Sequence, residues 1–405
     1  QASRGSDGAC VMLGVLVALC PGACALAATQ PAGAERTCHR SDEVLRAARA
    51  TTPLALTVIS YNVLAPAFAD PSRYAGADPA DLDWGTRRER ICAFLADCDP
   101  DVVALQEVPL PTFAEDFAPF TRSGPYGASL QEADEGRPYG NAVLYRTPRF
   151  SLEVEESRSR VQIAVLRDNQ GARADGGQGA DPAAEAEGEG GEAGGGAPLL
   201  YVASVHLMRG GDEQVTRLQQ LRSMFRRLAH HRAELGLGTA RGRARRRAPA
   251  PAQEAGPAEA ALVCGDFNAG RHTAVYHLMR DGGLAKFPAS RRRPDKTPAR
   301  AGRAYHTGFL GTRDVYRARA PAWGPHEATH RNGLPIDFIW ASPSLDVLAT
   351  MPLARERAHE AELFGGHSAE SPIPGLHRRP LPIPGPAYPS DHLAIGCVLT
   401  WRDGG

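Results

Sequence analysis

Seven short runs of apolar, β-branched and aromatic residues are spread along this chain, and nearly all of them abut a lone polar residue. The runs are Leu56 to Tyr61, Val102 to Leu105, Ala142 to Tyr145, Leu199 to Val205, Ala261 to Cys264, Ile336 to Trp340 and Ala394 to Leu399. Short, nearly unbroken apolar stretches suit strands buried on at least one face. Between them, Arg87 to Cys98 sets Ile91, Phe94 and Leu95 on one side at helical spacing. Glu213 to His230 does the same with Leu218, Leu221, Phe225 and Leu228. Strands and helices interleaved over the whole length predict an α/β protein.

The 405 residues allow two average domains, but one large domain with tails suits the even spread of strands better. Gly (43) and Pro (33) are abundant, and they concentrate in biased segments at 171–197, 239–260, 289–303 and 366–388. Such segments bury too little apolar surface to offset the entropy of ordering, so they read as flexible inserts. Residues 29–53 read as a linker and 54–401 as the domain. At the start, Arg4 precedes an apolar run from Cys10 to Leu19, with small residues around Ala25 and Ala28. That pattern reads as a secretory signal peptide over 1–28, which implies a secreted, secretory-pathway or organellar protein; a transit peptide or signal anchor is the competing reading, and an intracellular location stays open. No later segment is apolar enough to cross a bilayer, so no stable membrane insertion is expected of the mature chain.

Lys plus Arg and Asp plus Glu both number 46, so affinity for a polyanion must come from local patches. Of eight cysteines, three fall in the leader, leaving Cys38, Cys92, Cys98, Cys264 and Cys397. An odd number without CxxC spacing describes neither a disulfide framework nor a zinc site. Cys264 and Cys397 lie in apolar runs and read as small buried hydrophobes.

The polar residues at the strand ends are Asn62, Glu107, His206, Asp266 with Asn268, Asp337, and Asp391 with His392. A rigid sheet can converge such side chains on one cleft. Hard oxygen ligands such as Glu107 and Asp391 suit Mg²⁺, with Mn²⁺ as a substitute. Phosphodiester cleavage needs a deprotonated water, neutralised phosphoryl oxygens and help for the leaving alkoxide. Asp266 and Asn268 could hold the water and the phosphate, and His392, oriented by Asp337, could donate to it. No Ser or Cys stands in a nucleophile motif, so direct attack by water is favoured over a covalent intermediate. Singly, Glu107 could merely cap a helix, His206 could be a satisfied imidazole and Asn62 a turn residue. Together, in this order, they are hard to explain as structural.

The motif order resembles the endonuclease/exonuclease/phosphatase superfamily, and the first half is similar to the CCR4-type deadenylase group with nocturnin, the Angel proteins and 2′-phosphodiesterase. The motifs are Ser60-Tyr61-Asn62-Val63-Leu64-Ala65, Leu82-Asp83-Trp84, Asp101 to Val108, Gly140 to Arg146, Val205-His206-Leu207 with Arg217 and Gln220, Gly265-Asp266-Phe267-Asn268, Ile336 to Trp340, and Pro389 to Leu393. The resemblance implies a four-layer, DNase I-like α/β sandwich of two packed mixed sheets flanked by helices. It also implies roles: Glu107 binding the principal Mg²⁺ with Asn62 and Asp391 nearby, and Asp266 and Asn268 handling water and phosphate. His206 and His392 would contact or protonate phosphate oxygens, with Asp337 behind His392.

These readings point to a CCR4-like 3′-5′ exoribonuclease acting on RNA or another phosphodiester. The alternatives are a secreted phosphatase or phospholipid/nucleotide phosphodiesterase of the same fold, and a non-catalytic binding module. Two basic inserts, Arg241 to Arg247 and Arg291 to Arg293, could follow a phosphate backbone. Tyr305, Trp323 and Tyr388 are weak candidates for base stacking, and no protein partner is indicated.

Overall fold

The computed structural model describes residues 39–52, 54–133, 136–170, 196–210, 213–236, 258–286, 304–309, 311–319, 328–352 and 383–402. Its strands are β1 (Leu56–Asn62), β2 (Val102–Pro109), β3 (Tyr126–Leu130), β4 (Tyr139–Arg146), β5 (Phe150–Arg158), β6 (Val161–Asp168), β7 (Leu199–His206) and β8 (Glu259–Asp266). Three two-residue strands follow, β9 (Gly283–Leu284), β10 (Tyr305–His306) and β11 (Arg313–Asp314), and then β12 (Asp337–Ala341), β13 (Leu345–Thr350) and β14 (Ile395–Trp401). The principal helices are α1 (His39–Ala50), α2 (Trp84–Cys98), α3 (Gln214–Glu234) and α4 (Ala274–Asp281).

Two six-stranded sheets form, ordered β13-β14-β1-β2-β4-β3 and β11-β12-β8-β7-β6-β5. In each, one central pair is parallel, β1 with β2 and β7 with β8, and the other pairings are antiparallel. A parallel pair needs a crossover, and the helix-spaced segments supply it: α2 lies between β1 and β2, and α3 between β7 and β8. Every residue of β1, β2 and β7 is buried, which is why these strands read as apolar runs rather than alternating ones.

Three apolar clusters define the layers. Leu56, Val58 and Ala104 of the first sheet pack against Leu166, Val202 and Leu262 of the second. On the outer face of the first sheet, Leu45 of α1 and Ile91 and Leu95 of α2 meet Ile59, Val103 and Leu105. On the outer face of the second, Leu218, Leu221 and Phe225 of α3 and Leu278 of α4 meet Tyr201, Ala203 and Trp340. Helix, sheet, sheet, helix is the four-layer sandwich expected.

Some expected boundaries need correction. Residues 39–50, read as part of a linker, form α1, whose Leu45 is 1% exposed and fills the outer core of the first sheet. The insert assigned to 239–260 overruns the start of β8 at Glu259, because Ala260 is buried between the sheets. The insert assigned to 366–388 overlaps an ordered turn in which Ile383 packs on Ala328 and Leu393. The rest of both inserts, the 289–303 insert, nearly all of 171–197, the leader, both arginine tracts and Trp323 lie outside the described residues. Strands β3, β5, β6 and β13 escaped the sequence reading; β5 alternates exposed and covered residues as an edge strand does, and so shows no apolar run. Cys264 and Cys397 are fully buried thiols, as read.

Candidate active site

The strand register places the polar strand-end residues side by side. Asn62 pairs with Gln106 across the parallel β1–β2 ladder, and His206 with Asp266 across β7–β8. Asp337 opens β12 directly opposite Asp266. The same end of the first sheet receives Asp391 and His392, since Ser390 Oγ donates to the Asn62 carbonyl at 2.6 Å and accepts from the His392 N–H at 3.2 Å.

Three local distortions aim the side chains. The β2–β4 ladder slips between Leu105 and Val108, and within that bulge Glu107 adopts φ +60°. A left-handed glutamate costs on the order of 1–3 kcal/mol and persists only where its surroundings hold it. Here the Ala65 N–H donates to Glu107 Oε2 at 2.9 Å and Asn62 Nδ2 to Oε1 at 3.2 Å. Asn268, at φ +47°, folds back so that its N–H reaches Asp266 Oδ1 at 2.8 Å. Gly265 takes φ +140°, and a Cβ there would lie 2.0 Å from the Val205 carbonyl oxygen, so only glycine lets β7 and β8 close at this point.

The cluster joins both sheets. Asn62 Nδ2 lies 3.3 Å from Asp266 Oδ2 and 3.4 Å from His392 Nε2. His206 Nε2 is 3.6 Å from both Glu107 Oε1 and Asp266 Oδ2. His392 Nδ1 bonds Asp337 Oδ2 at 2.9 Å, leaving Nε2 3.7 Å from Asp266 Oδ2 and 3.9 Å from Asp391 Oδ1. All eight residues expected at the site therefore reach one cleft.

Their environments split the two histidines. Burial, helped by the positive charge of Arg160, pushes His206 down to about 3, so its imidazole is neutral. Burial also opposes charge on His392, but Asp337, Asp266 and Asp391 outweigh it and push it up to about 10. Burial raises Asp266 against the pull of His392. Glu107 is raised by burial and then by the charge of Asp391. Burial would raise Asp391 too, yet hydrogen bonding from His330, the positive charge of His392 and the Tyr74 hydroxyl at 2.9 Å hold it well below the usual carboxylate range.

Sequence reading missed four of these supporting residues. His330 Nδ1 accepts the Asn332 N–H at 3.2 Å, which puts its proton on Nε2, 3.6 Å from Asp391 Oδ2. Tyr74 reaches Asp391 from a loop, and Thr329 Oγ1 donates to Asp337 Oδ2 at 2.6 Å. Arg87, fully buried, ties the Val63, Leu64 and Pro389 carbonyls together beneath the cleft. None adjoins a strand motif, so no local pattern marks them.

Among the described residues, two triplets bring ligand atoms within 4.8 Å of one another, His330–Asp391–His392 and Asp266–Asp337–His392, and Glu107 is in neither. In both, His392 Nδ1 is bonded to Asp337 Oδ2 at 2.9 Å, so only its Nε2 is left to face a cation. The carboxylates of Glu107 and Asp391 are of the type a hard divalent cation takes, which needs only one or two of them beside water, whereas Asn62 turns Nδ2 toward Glu107 and gives its Oδ1 to the Leu64 N–H at 3.0 Å.

A model of the endonuclease/exonuclease/phosphatase family matches residues 59–392, from β1 to His392. The chain belongs to this family. Its members are hydrolases that depend on a divalent metal. The Ccr4 3′-5′-exoribonuclease subunit of the CCR4-Not complex of Emericella nidulans is 24% identical over 393 residues, covering 87% of this chain and 53% of the relative. The chain thus spans about half the length of that curated relative. Among solved structures, ANGEL2, described as a 2′,3′-cyclic phosphatase, superposes with a TM-score of 0.57 at 18% identity over 85% of this chain and 95% of that one. The human nocturnin catalytic domain gives 0.52 at 16% identity over 86% and 94%. Both likenesses bear out the DNase I-like sandwich, and together with Ccr4 they fall in the group that the motif order resembles.

Proposed function

We propose that this chain is a Mg²⁺-dependent phosphodiester hydrolase that shortens single-stranded RNA from its 3′ end. The observation that carries the hydrolytic reading is the convergence of His206 Nε2 and His392 Nε2 on the Asp266 carboxylate, 3.6 and 3.7 Å from its Oδ2, at the meeting of the two sheets. Titratable groups driven apart by their surroundings mark an acid and a base poised together. The Asp266 carboxylate takes a proton from the attacking water, while Asn268 steadies a phosphate oxygen. His392, held by Asp337, donates to the phosphate as negative charge gathers there. His206, its pKa lowered by burial, donates one N–H to a phosphate oxygen. Glu107, with Asp391 and Asn62 nearby, would hold Mg²⁺ or Mn²⁺, and the bound ion would supply Lewis-acid neutralisation of the phosphoryl oxygens. Burial pushes the Cys264 and Cys397 thiols up, so neither serves as a nucleophile, and water attacks directly.

The RNA preference is supported by the motif order and by the exoribonuclease relative. Its test is purified protein with Mg²⁺ offered poly(A), mixed RNA, RNA ending in a 2′,3′-cyclic phosphate, 2′,5′-linked oligoadenylate, single-stranded DNA, NADP and phosphoinositide, each repeated with EDTA. Stepwise, chelator-sensitive shortening of RNA is the expected result. Release of phosphate from lipid or dinucleotide alone replaces the RNA reading, and inertness toward every substrate leaves a binding module. The export reading of residues 1–28 is checked by secretion of a reporter fused behind them.

A further inference from the structure

A groove outside the catalytic cleft is lined by arginines from two elements. One part, about 630 Å³, lies between the end of β5 and α3, bordered by Arg158, Arg222, Arg226, Arg227 and His230. A second part, about 330 Å³, shares Arg158 and Ser223 with the first and adds Arg137 and Arg160 against one acid, Glu132. The groove leads to the active centre: the His206 N–H donates to the Arg160 carbonyl at 2.9 Å, and Arg160 Nη2 lies 3.8 Å from Met208 sulfur. Gln220 of α3 accepts from the Met208 N–H at 3.0 Å, and Arg158 Nη2 reaches Ser223 Oγ at 3.4 Å, so helix and hairpin, the two walls, are tied to each other and to the segment after His206.

The charge is not that of an ordinary solvated helix face. Such faces interleave acids one turn from their bases, yet no Asp or Glu occurs from Gln214 to Ala233, and Arg222 and Arg226 stand at i, i+4, where like charges repel. Glu156 neutralises Arg227 and approaches Arg158, but Arg160 and Arg226 have no carboxylate within 4.0 Å among the described residues. In a chain with equal numbers of acids and bases, this concentrates positive charge along one path to the cleft. Among the described residues no Phe, Tyr or Trp lines either part of the groove; His230 is its one aromatic ring, and Arg222 rests 5.5 Å over the Tyr305 ring, so the groove offers mainly charge.

We infer that Arg158, Arg160, Arg222 and Arg226 form a phosphate track that carries the backbone of a single-stranded polynucleotide out of the catalytic cleft. The inference rests on the phosphodiesterase reading and names the substrate's form: a strand several nucleotides long, gripped by its backbone whatever its bases.

Two measurements separate the track from the chemistry. The first is hydrolysis of bis(p-nitrophenyl) phosphate, a diester too small to leave the cleft. The second is fluorescence anisotropy of labelled oligonucleotides of two to twelve nucleotides in EDTA, which needs no turnover. Affinity rises with length in the wild type. R222A/R226A weakens binding of the longest strands about tenfold at 0.1 M salt and flattens the log K against log[salt] slope by about 1.4, two contacts at roughly 0.7 each. The same variant leaves the dinucleotide and the small diester unaffected; R158A, on the opposite wall, gives a smaller loss of the same kind. Unchanged long-strand binding in folded R222A/R226A overturns the track. So does loss of binding to phosphatidylserine vesicles with strand binding intact, since the groove then serves a membrane. Inertness toward the small diester with length-dependent binding retained refutes the hydrolase reading and leaves the track.

Discussion

Asp337→Asn isolates the charge that keeps His392 protonated. Three carboxylates face this imidazole, with Asp337 at 2.9 Å, Asp266 at 3.7 Å and Asp391 at 3.9 Å. Together they overcome full burial and raise it from 6.5 to about 10. An opposite charge at contact distance accounts for roughly one to three pH units, and the nearest partner contributes most, so neutralising Asp337 lowers His392 by about two. The sign is fixed: losing a partner of the cation lowers its pKa, so the proton needed for donation to phosphate leaves at lower pH. In the wild type, activity rises as Asp266 and Glu107 ionise and falls as His392 deprotonates near pH 10. In Asp337→Asn the alkaline limb of kcat against pH moves to about pH 8, and kcat at its optimum falls by about 10²-fold or more because the amide also misorients the ring. The assay is initial rate on bis(p-nitrophenyl) phosphate from pH 5 to 10.5, with circular dichroism confirming the fold. An alkaline limb that stays near pH 10 in a folded variant refutes the assignment of His392 as the donor.

Other perturbations probe the cation, the strain and the core. Glu107→Gln lowers activity at fixed Mg²⁺ by about a hundredfold or more, read by titrating Mg²⁺, yet leaves metal-free thermal stability unchanged or higher, since a buried carboxylate is replaced by a neutral amide. Gly265→Ala, which sets a methyl against the Val205 carbonyl at positive φ, destabilises by about 3 kcal/mol or more in urea unfolding. Arg149→Met leaves Asp168, 0% exposed, without the guanidinium that neutralises it, while Asp101 keeps Arg49 at 3.1 Å, and costs about 3–5 kcal/mol by the same measurement. Removing residues 171–195 and joining the ends with a short turn leaves activity and unfolding midpoint unchanged, because the Asp168 N–H already bonds the Pro198 carbonyl at 2.9 Å and the β6–β7 ladder does not need the segment.

Much of the fold was legible because strands buried on both faces must be apolar along their length. Val58, Val103, Val202 and Val263 announce themselves that way, and the helices α2 and α3 do so by their spacing. Amphipathic edge strands such as β5 were not legible, since half their residues face water. Helix α1 was missed because its sequence is largely polar and Leu45 is its single fully buried anchor among residues 43–50.

All eight expected site residues were marked by polar types beside apolar runs, a juxtaposition that folding alone does not require. Their mutual distances were not in that pattern. Register across the β1–β2, β7–β8 and β8–β12 ladders sets which side chains adjoin, and it is decided by which apolar faces pack together over the whole sandwich. His206 and His392 are the same residue by sequence, yet the fold shifts their pKa values in opposite directions. Burial dominates at His206, whereas Asp337, Asp266 and Asp391 outweigh it at His392, and electrostatic energy in a dry cleft depends on distance through space, which the order of residues along the chain does not record.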